Sequence, residues 1–481
     1  MSSRSPRLLS TALLLLAAAA SAGELVVEPY VFEARAQKVD AELGKFSVPE
    51  NRATEDGRQI ELAFVRFRST AANPGAPIVY LAGGPGGSGS ATARGSRFPL
   101  FQAMRSVADV IAFDQRGTGL SELLPACSRG WKAPLDQPMT RESLGAVVEE
   151  AARFCAREWR DQGIDLDGYN TEQSADDLES LRRALGVPKI TLWSISYGTH
   201  LAFATVKRHP DSIDRLILAG TEGPDQTLKL PSDQQALLEV LAERIAADPE
   251  TAEMFPSFLD DVRVVLERLG RQPEKTYVFV RGVGRVDMMV GAFDVQYAAA
   301  GTLRGPQTMR LLPRVFAQMR DGDFSGIRPF LTLARSGSIR GMPAAMDSAS
   351  GATGARLSRI REEAAQTLLA DAINFPWTPI NRGLGVRDLG DDFRADITTD
   401  IPALFISGTL DGRTHPNHAF AVLPGFSNAR HLILEGAGHS DPLFLSSPEI
   451  LEIMLAFLRD EELPRERRLP VPVPSFATLT R

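Results

Sequence analysis

Only two cysteines, Cys127 and Cys155, occur in 481 residues, and no C-x-x-C or histidine-rich spacing accompanies them. That excludes the thiolate clusters of structural zinc and the paired thiols of redox motifs, so no metal is expected. No basic run is dense enough to grip nucleic acid. There is no G-x-x-x-x-G-K, which removes a P-loop. Past the N-terminus no stretch approaches the ~20 consecutive apolar residues that span a bilayer. No internal repeat is visible. Formal charge is −7, from 53 basic and 60 acidic residues. What remains is an ordinary globular composition, 43% hydrophobic and 23% charged, long enough for one large domain with an insertion or for two domains.

The first residues speak to compartment. Arg4 and Arg7 precede an apolar run over 8–20, and Ala20-Ser21-Ala22 forms a small-x-small cleavage site. The run is too short to cross a bilayer, so 1–22 is expected to be a signal peptide and the mature protein to be exported, without stable membrane insertion. In an oxidising compartment an isolated pair of cysteines invites a disulfide, and Cys127–Cys155 is the expected bridge; two buried thiols are the alternative.

Along the chain, β-branched apolar runs bounded by turn residues fall at 60–68, 77–81, 109–113, 190–193 and 216–219. Helical patterns lie between several of them, such as 174–185 with Leu178, Leu181 and Leu185 on one face. Such alternation means parallel βαβ units in an open α/β sheet. From about 231 to 375 the pattern becomes mainly helical, with one strand-like pair near 277–280 and 285–290. Sheet-like runs resume at 403–407 and 431–434, followed by a helical 449–458. The expected organisation is therefore a core over 23–230 and 376–481, with a helical insertion over 231–375 and an extended tail at 469–474.

The strand at 77–81 runs into "AGGPGGSGS". Gly84, Gly86 and Gly89 satisfy G-x-G-x-x-G, and Asp114 ends the next strand, which outlines a dinucleotide fingerprint and makes a nucleotide-binding oxidoreductase the rival reading. Pro85 in the turn, no helical period starting at Gly89 and the strands that come before it weaken this outline. The other reading is a loop of backbone donors that meets a developing oxyanion.

Further on, "TLWSISYGTH" places Ser194 and Ser196 where a strand meets a helix. At a nucleophile elbow the residues two before and two after the nucleophile must be small, because strand and helix nearly touch. Around Ser196 these are Ser194 and Gly198; around Ser194 they would be Leu192 and Ser196. Ser196 is the candidate nucleophile, with Ser194 standing in for a glycine. Its base must follow an acid in the chain. Of six histidines, His200 and His209 lie too near the serine, His415 and His418 fall at a helix start, and His431 sits inside a strand. His439, in "EGAGHS", follows the last strand, and Asp411, in "ALFISGTLDG", ends the strand before it.

With those residues in place the chain resembles the proline iminopeptidase and tripeptidyl aminopeptidase family of α/β-hydrolases. The likeness rests on "GGPGGSG", "DQRGTGLS", "SISYGTHLA", "GTLDGRTHP" and "GAGHS", spread from about Gly83 to Ser440. It implies an α/β-hydrolase sheet with an inserted helical cap, no cofactor, and peptide substrates with a free N-terminus. It also implies backbone donors at Gly84 and Tyr197 for the oxyanion. Ala82 stands where the family commonly has His, and Ser194 where it has Gly. Asp114 and Arg116 are read as structural, closing the loop by an ion pair or turn bonds. Glu222, in "AGTEGPD" just past a core strand, is the candidate counter-charge for a substrate ammonium. An esterase with the same triad, or a binding protein that has lost turnover, are the other readings.

Overall fold

The structure, a computed structural model, describes residues 24–475 apart from Arg281. The leader assigned to 1–22 lies outside the described residues. Ten strands form one sheet: β1 (Val26–Ala34), β2 (Gln37–Pro49), β3 (Gln59–Phe67), β4 (Ile78–Leu81), β5 (Val110–Asp114), β6 (Ile190–Ser196), β7 (Ile213–Thr221), β8 (Ala403–Gly408), β9 (Ala429–Glu435) and β10 (Glu466–Pro470). Their spatial order is β1-β2-β3-β5-β4-β6-β7-β8-β9-β10. β1, β2 and β3 pair antiparallel, as do β3 and β5. From β5 to β10 every neighbouring pair is parallel.

The central strands are apolar on both faces because both faces are covered. Val79, Leu81 and Leu192 point into one core with helices Arg141–Asp161, Thr171–Ala184 and Tyr197–Arg208. Ile78, Tyr80 and Trp193 point into the other, with helices Phe98–Met104 and Pro448–Leu458. Trp193 is fully buried there, its ring 4.6 Å from Tyr80 and 4.8 Å from Phe101.

Between β7 and β8 the chain is mainly helical, beginning with Pro231–Ala247 and Phe258–Arg271. The strand-like pair is a hairpin of Glu274–Val280 and Gly284–Val290. Helix Gly341–Ser350 crosses back over the sheet: a Cβ on Gly86 would meet Pro343 at 2.5 Å. Helical structure continues past Phe375 into Trp377–Leu384, where Arg382 pairs with Glu149 of the core helix Arg141–Asp161 at 2.9 Å. The Cys127–Cys155 disulfide is present, tying the segment after β5 to that same helix. No helix among the described residues is long and apolar enough to cross a membrane.

Two features differ from the sequence reading. Strands β1 and β2, an antiparallel extension of the sheet, carried no clear signal, because they are largely exposed or half-buried and β1 sets Val26, Val27 and Val31 in solvent beside Glu28 and Glu33, which blurs the alternation. A helix does start at Gly89: Gly89–Arg94 is capped by Ser88, whose hydroxyl accepts from the Ala91 N–H. With only six residues it shows too little period to be read from sequence.

Candidate active site

The sequence turns a strand directly into a helix at Ser196. Ser196 has φ 56°, left-handed backbone that a non-glycine residue holds only under constraint. The constraint is close packing. A Cβ on Gly198 would meet the Leu81 carbonyl at 2.2 Å, so only glycine fits where helix and β4 touch. Ser194 fits the other tight position because its hydroxyl is used: it is fully buried and donates to the Ile217 carbonyl at 2.9 Å. The extra atoms that replace a glycine hydrogen thus join β6 to β7.

The glycine loop passes beside this turn. A Cβ on Gly83 would come within 2.8 Å of the Ser196 Cβ, and Gly84 and Gly86 have φ of 129° and 93°. The Ala82 carbonyl, at the position lacking the family's histidine, accepts from Gln115 Nε2 at 3.0 Å. Asp114 is buried and accepts from the Ser88 hydroxyl (2.7 Å), the Ser90 N–H (3.1 Å), the Ser90 hydroxyl (2.5 Å) and the Leu120 N–H (2.9 Å). It is therefore a turn-closing residue with no oxygen left for a ribose, which removes the basis of the dinucleotide outline. Arg116 does not pair with Asp114. It is fully buried and grips Asp177 through two bonds of 2.7 Å, with the Glu50 carbonyl as a further acceptor.

β8 delivers Asp411 and β9 delivers the loop of His439. Asp411 is fully buried. Its Oδ1 accepts the N–H groups of Arg413 and Thr414, each at 2.8 Å. Its Oδ2 accepts the Thr414 hydroxyl at 2.7 Å and faces His439 Nδ1 at 2.8 Å. Burial pushes the Asp411 carboxyl up, but His439 and Thr414 outweigh it and hold the group below its usual range. An ionised carboxylate accepts only, so the His439 proton sits on Nδ1 and leaves Nε2 as an acceptor.

Ser196, His439, Gly83 and Gly84 line one cavity of ≈ 870 Å³. Part of its wall is apolar, formed by Phe330, Leu333, Phe375 and Trp377. Tyr197 contributes the first N–H of the helix after Ser196, in a turn whose N–H groups have no intrahelical acceptor. Its side chain is turned away and buried, with the hydroxyl 3.1 Å from Thr171. The residues Ser196, His439 and Gly84 meet at one cavity, with Asp411 behind His439.

Glu222 is placed elsewhere. It follows β7 but is buried outside the cavity lining, and its Oε2 already holds an ammonium, that of Lys229, at 2.5 Å. Burial raises its carboxyl, and Lys229 and then His200 overturn that and lower it. The expectation failed because a strand end marks the rim of the sheet but not which side chain turns inward. Thr414 was missed, although "GTLDGRTHP" puts a hydroxyl three residues after the acid. Among the described residues no cluster of three or more metal-ligating side chains occurs.

The glycine-rich loop, the strained serine, and the acid and histidine after later strands define a hydrolase-type site, and the chain belongs to the alpha/beta hydrolase fold family, whose model matches residues 76–444. Among relatives, it is 30% identical over 188 residues to the serine protease Hip1 of Mycobacterium tuberculosis, covering 38% of this chain and 36% of that one. It is likewise 30% identical over 201 residues to a tripeptidyl aminopeptidase of Streptomyces coelicolor, covering 38% and 35%. The matches thus span about a third of these relatives' length. Among solved structures, a proline iminopeptidase-related protein from Thermus thermophilus aligns over 87% of this chain and 97% of its own, with TM-score 0.40 and 18% identity.

Proposed function

We propose that the chain is an exported serine hydrolase that cleaves peptides near a free N-terminus, with Ser196 as nucleophile, His439 as base and Asp411 as the residue that orients it. The observation that carries the hydrolase reading is the strained Ser196 sharing a cavity with His439, whose Nδ1 is held at 2.8 Å by a buried carboxylate. Nε2 of His439 takes the Ser196 proton as Oγ attacks the scissile carbonyl, and the N–H groups of Gly84 and Tyr197 receive the oxyanion. His439 then returns the proton to the leaving amine, and water releases the acyl group by the same route in reverse. No step calls for a metal or organic cofactor.

Peptide substrates are supported by the peptidase names of the partial relatives, and export by the 1–22 pattern together with the disulfide. The test is turnover of peptide amides bearing free or acetylated N-termini, alongside simple esters. Preference for the free amines supports N-terminal cleavage. Ester turnover without any peptide turnover would replace the peptidase reading with an esterase.

A further inference from the structure

The charges on the cavity wall are almost all of one sign. Arg97, Arg304, Arg340 and Arg413 line it, and Asp441 is the one carboxylate among the described lining residues. Arg97 and Asp441 satisfy each other: Nε donates to Oδ1 at 2.9 Å, while the other nitrogens of Arg97 donate to the Tyr80 and Ser440 hydroxyls at 2.6 and 3.1 Å. Arg304 and Arg413 are different. Among the described residues neither guanidinium has an ion-pair or hydrogen-bond partner.

The two come from segments that also hold the acid and the base. The Arg304 carbonyl accepts the His439 N–H at 2.8 Å, and the Leu303 carbonyl accepts the Gly412 N–H at 3.0 Å. The Arg413 N–H donates to Asp411 Oδ1 at 2.8 Å. These bonds place the two residues on adjoining segments of the cavity wall, Arg304 exposed at the rim and Arg413 half-buried, and desolvation and then the like charge of Arg413 pull the Arg304 guanidinium below its usual value. Tyr297 of the same cavity is pushed up to about 12 by burial, against the opposing pull of both arginines. Asp411 is taken up by His439 and Thr414, Asp441 by Arg97, and two further acids are likewise not free to pair with them. Glu222 is matched by Lys229, and Asp347 is held well above the usual carboxylate range by burial and by Glu222, which favours its neutral form.

Two unpaired guanidinium groups on adjoining segments of one cavity wall repel each other, an anion between them relieves that repulsion, and a carboxylate fits their fork geometry. Because the base hands its proton to the leaving group, the wall that carries the base faces the leaving part of the substrate. We infer that Arg304 and Arg413 together bind a carboxylate located after the scissile bond. The preferred substrates are then short peptides in which the free carboxyl terminus closely follows the cut, or peptides with an acidic side chain there. This rests on the proposed hydrolase reading and names its substrate class.

The experiment compares four peptides by mass spectrometry of the products: tri-alanine as free acid and as amide, and Ala-Ala-Glu amide against Ala-Ala-Gln amide. Wild-type kcat/KM is expected to be at least about tenfold higher for one charged member over its neutral partner, mainly through KM. Preference for the free acid identifies the terminal carboxylate, and preference for the Glu amide identifies the side chain. Arg304→Gln and Arg413→Gln should each bring the favoured ratio toward one, with Arg304→Lys intermediate. Wild-type ratios near one, or a ratio that survives both Gln variants, would overturn the inference. Wild-type ratios near one overturn it whether or not the variants fold, and Arg304→Lys keeps the assignment testable if a Gln variant folds poorly. Absence of any turnover, together with no labelling by a serine-directed phosphonate, would instead be a failure of the hydrolase reading.

Discussion

Replacing Thr414 by valine removes one hydroxyl and almost no volume. That hydroxyl donates to Asp411 Oδ2 at 2.7 Å and lies 3.2 Å from His439 Nδ1, so it sits against the direct contact of the two. The site is tight: a Cβ on Gly220 would come within 2.8 Å of the Thr414 oxygen. A hydrogen bond to a buried charged group contributes about 1.5–3 kcal/mol. Asp411 keeps two backbone donors and His439 after the change, so the carboxylate stays ionised and the loss should fall near the lower end. If about 1.4 kcal/mol of it is expressed in the transition state, kcat falls roughly tenfold. Steady-state ester hydrolysis by wild type, Thr414→Val and Thr414→Ser measures this, and the serine variant, which keeps the hydroxyl, should stay close to wild type. Unchanged kcat in Thr414→Val, with stability also unchanged, would refute the view that this hydroxyl fixes the acid against the base.

Reducing the Cys127–Cys155 bridge opens a loop of 28 residues, which the chain-entropy model values at roughly 3.5 kcal/mol. Thermal unfolding with and without reductant should therefore differ by a few °C, and an unchanged midpoint after thiol titration has verified reduction would contradict it. Asp176 accepts from Arg208 and His209, each at 2.8 Å; burial raises its carboxyl, but these bonds outweigh it and bring it down to about 2. A depressed folded value means the contribution is present above the unfolded value and is lost as pH falls from about 4 to about 2. Discounted for partial exposure, Asp176→Asn should cost on the order of 1–2 kcal/mol in urea unfolding at pH 7, and the gap should close near pH 2. A gap that persists unchanged at pH 2 would rule out the charged contribution.

The parts of this molecule legible in sequence are those where chemistry restricts residue type locally. Strands β4, β5, β6 and β8 are buried on both faces and read as continuous apolar runs. The elbow was legible because its crowding demands small residues on both sides of Ser196, and the Asp411–His439 contact followed from chain order after successive strands. The same logic misplaced Glu222, since its capture by Lys229, seven residues on, depends on how the loop after β7 folds inward. Arginines 304 and 413 were invisible for a related reason. Arginine is common on surfaces, and only the packing of the 303–304 segment against the loops of Asp411 and His439 brings these two into one cavity. The short helix at Gly89 and the largely exposed or half-buried β1–β2 extension lack the periodicity that a longer or more buried element would show.

Ser196, not Ser194, is the proposed nucleophile of this site. Treating wild type, Ser196→Ala and Ser194→Ala with a serine-directed phosphonate, then mapping the adduct by peptide mass spectrometry, tests it most directly. An adduct is expected on Ser196 in wild type and in Ser194→Ala, and none in Ser196→Ala, with turnover abolished only in the last. An adduct that persists in Ser196→Ala, or one that maps to Ser194, would contradict it.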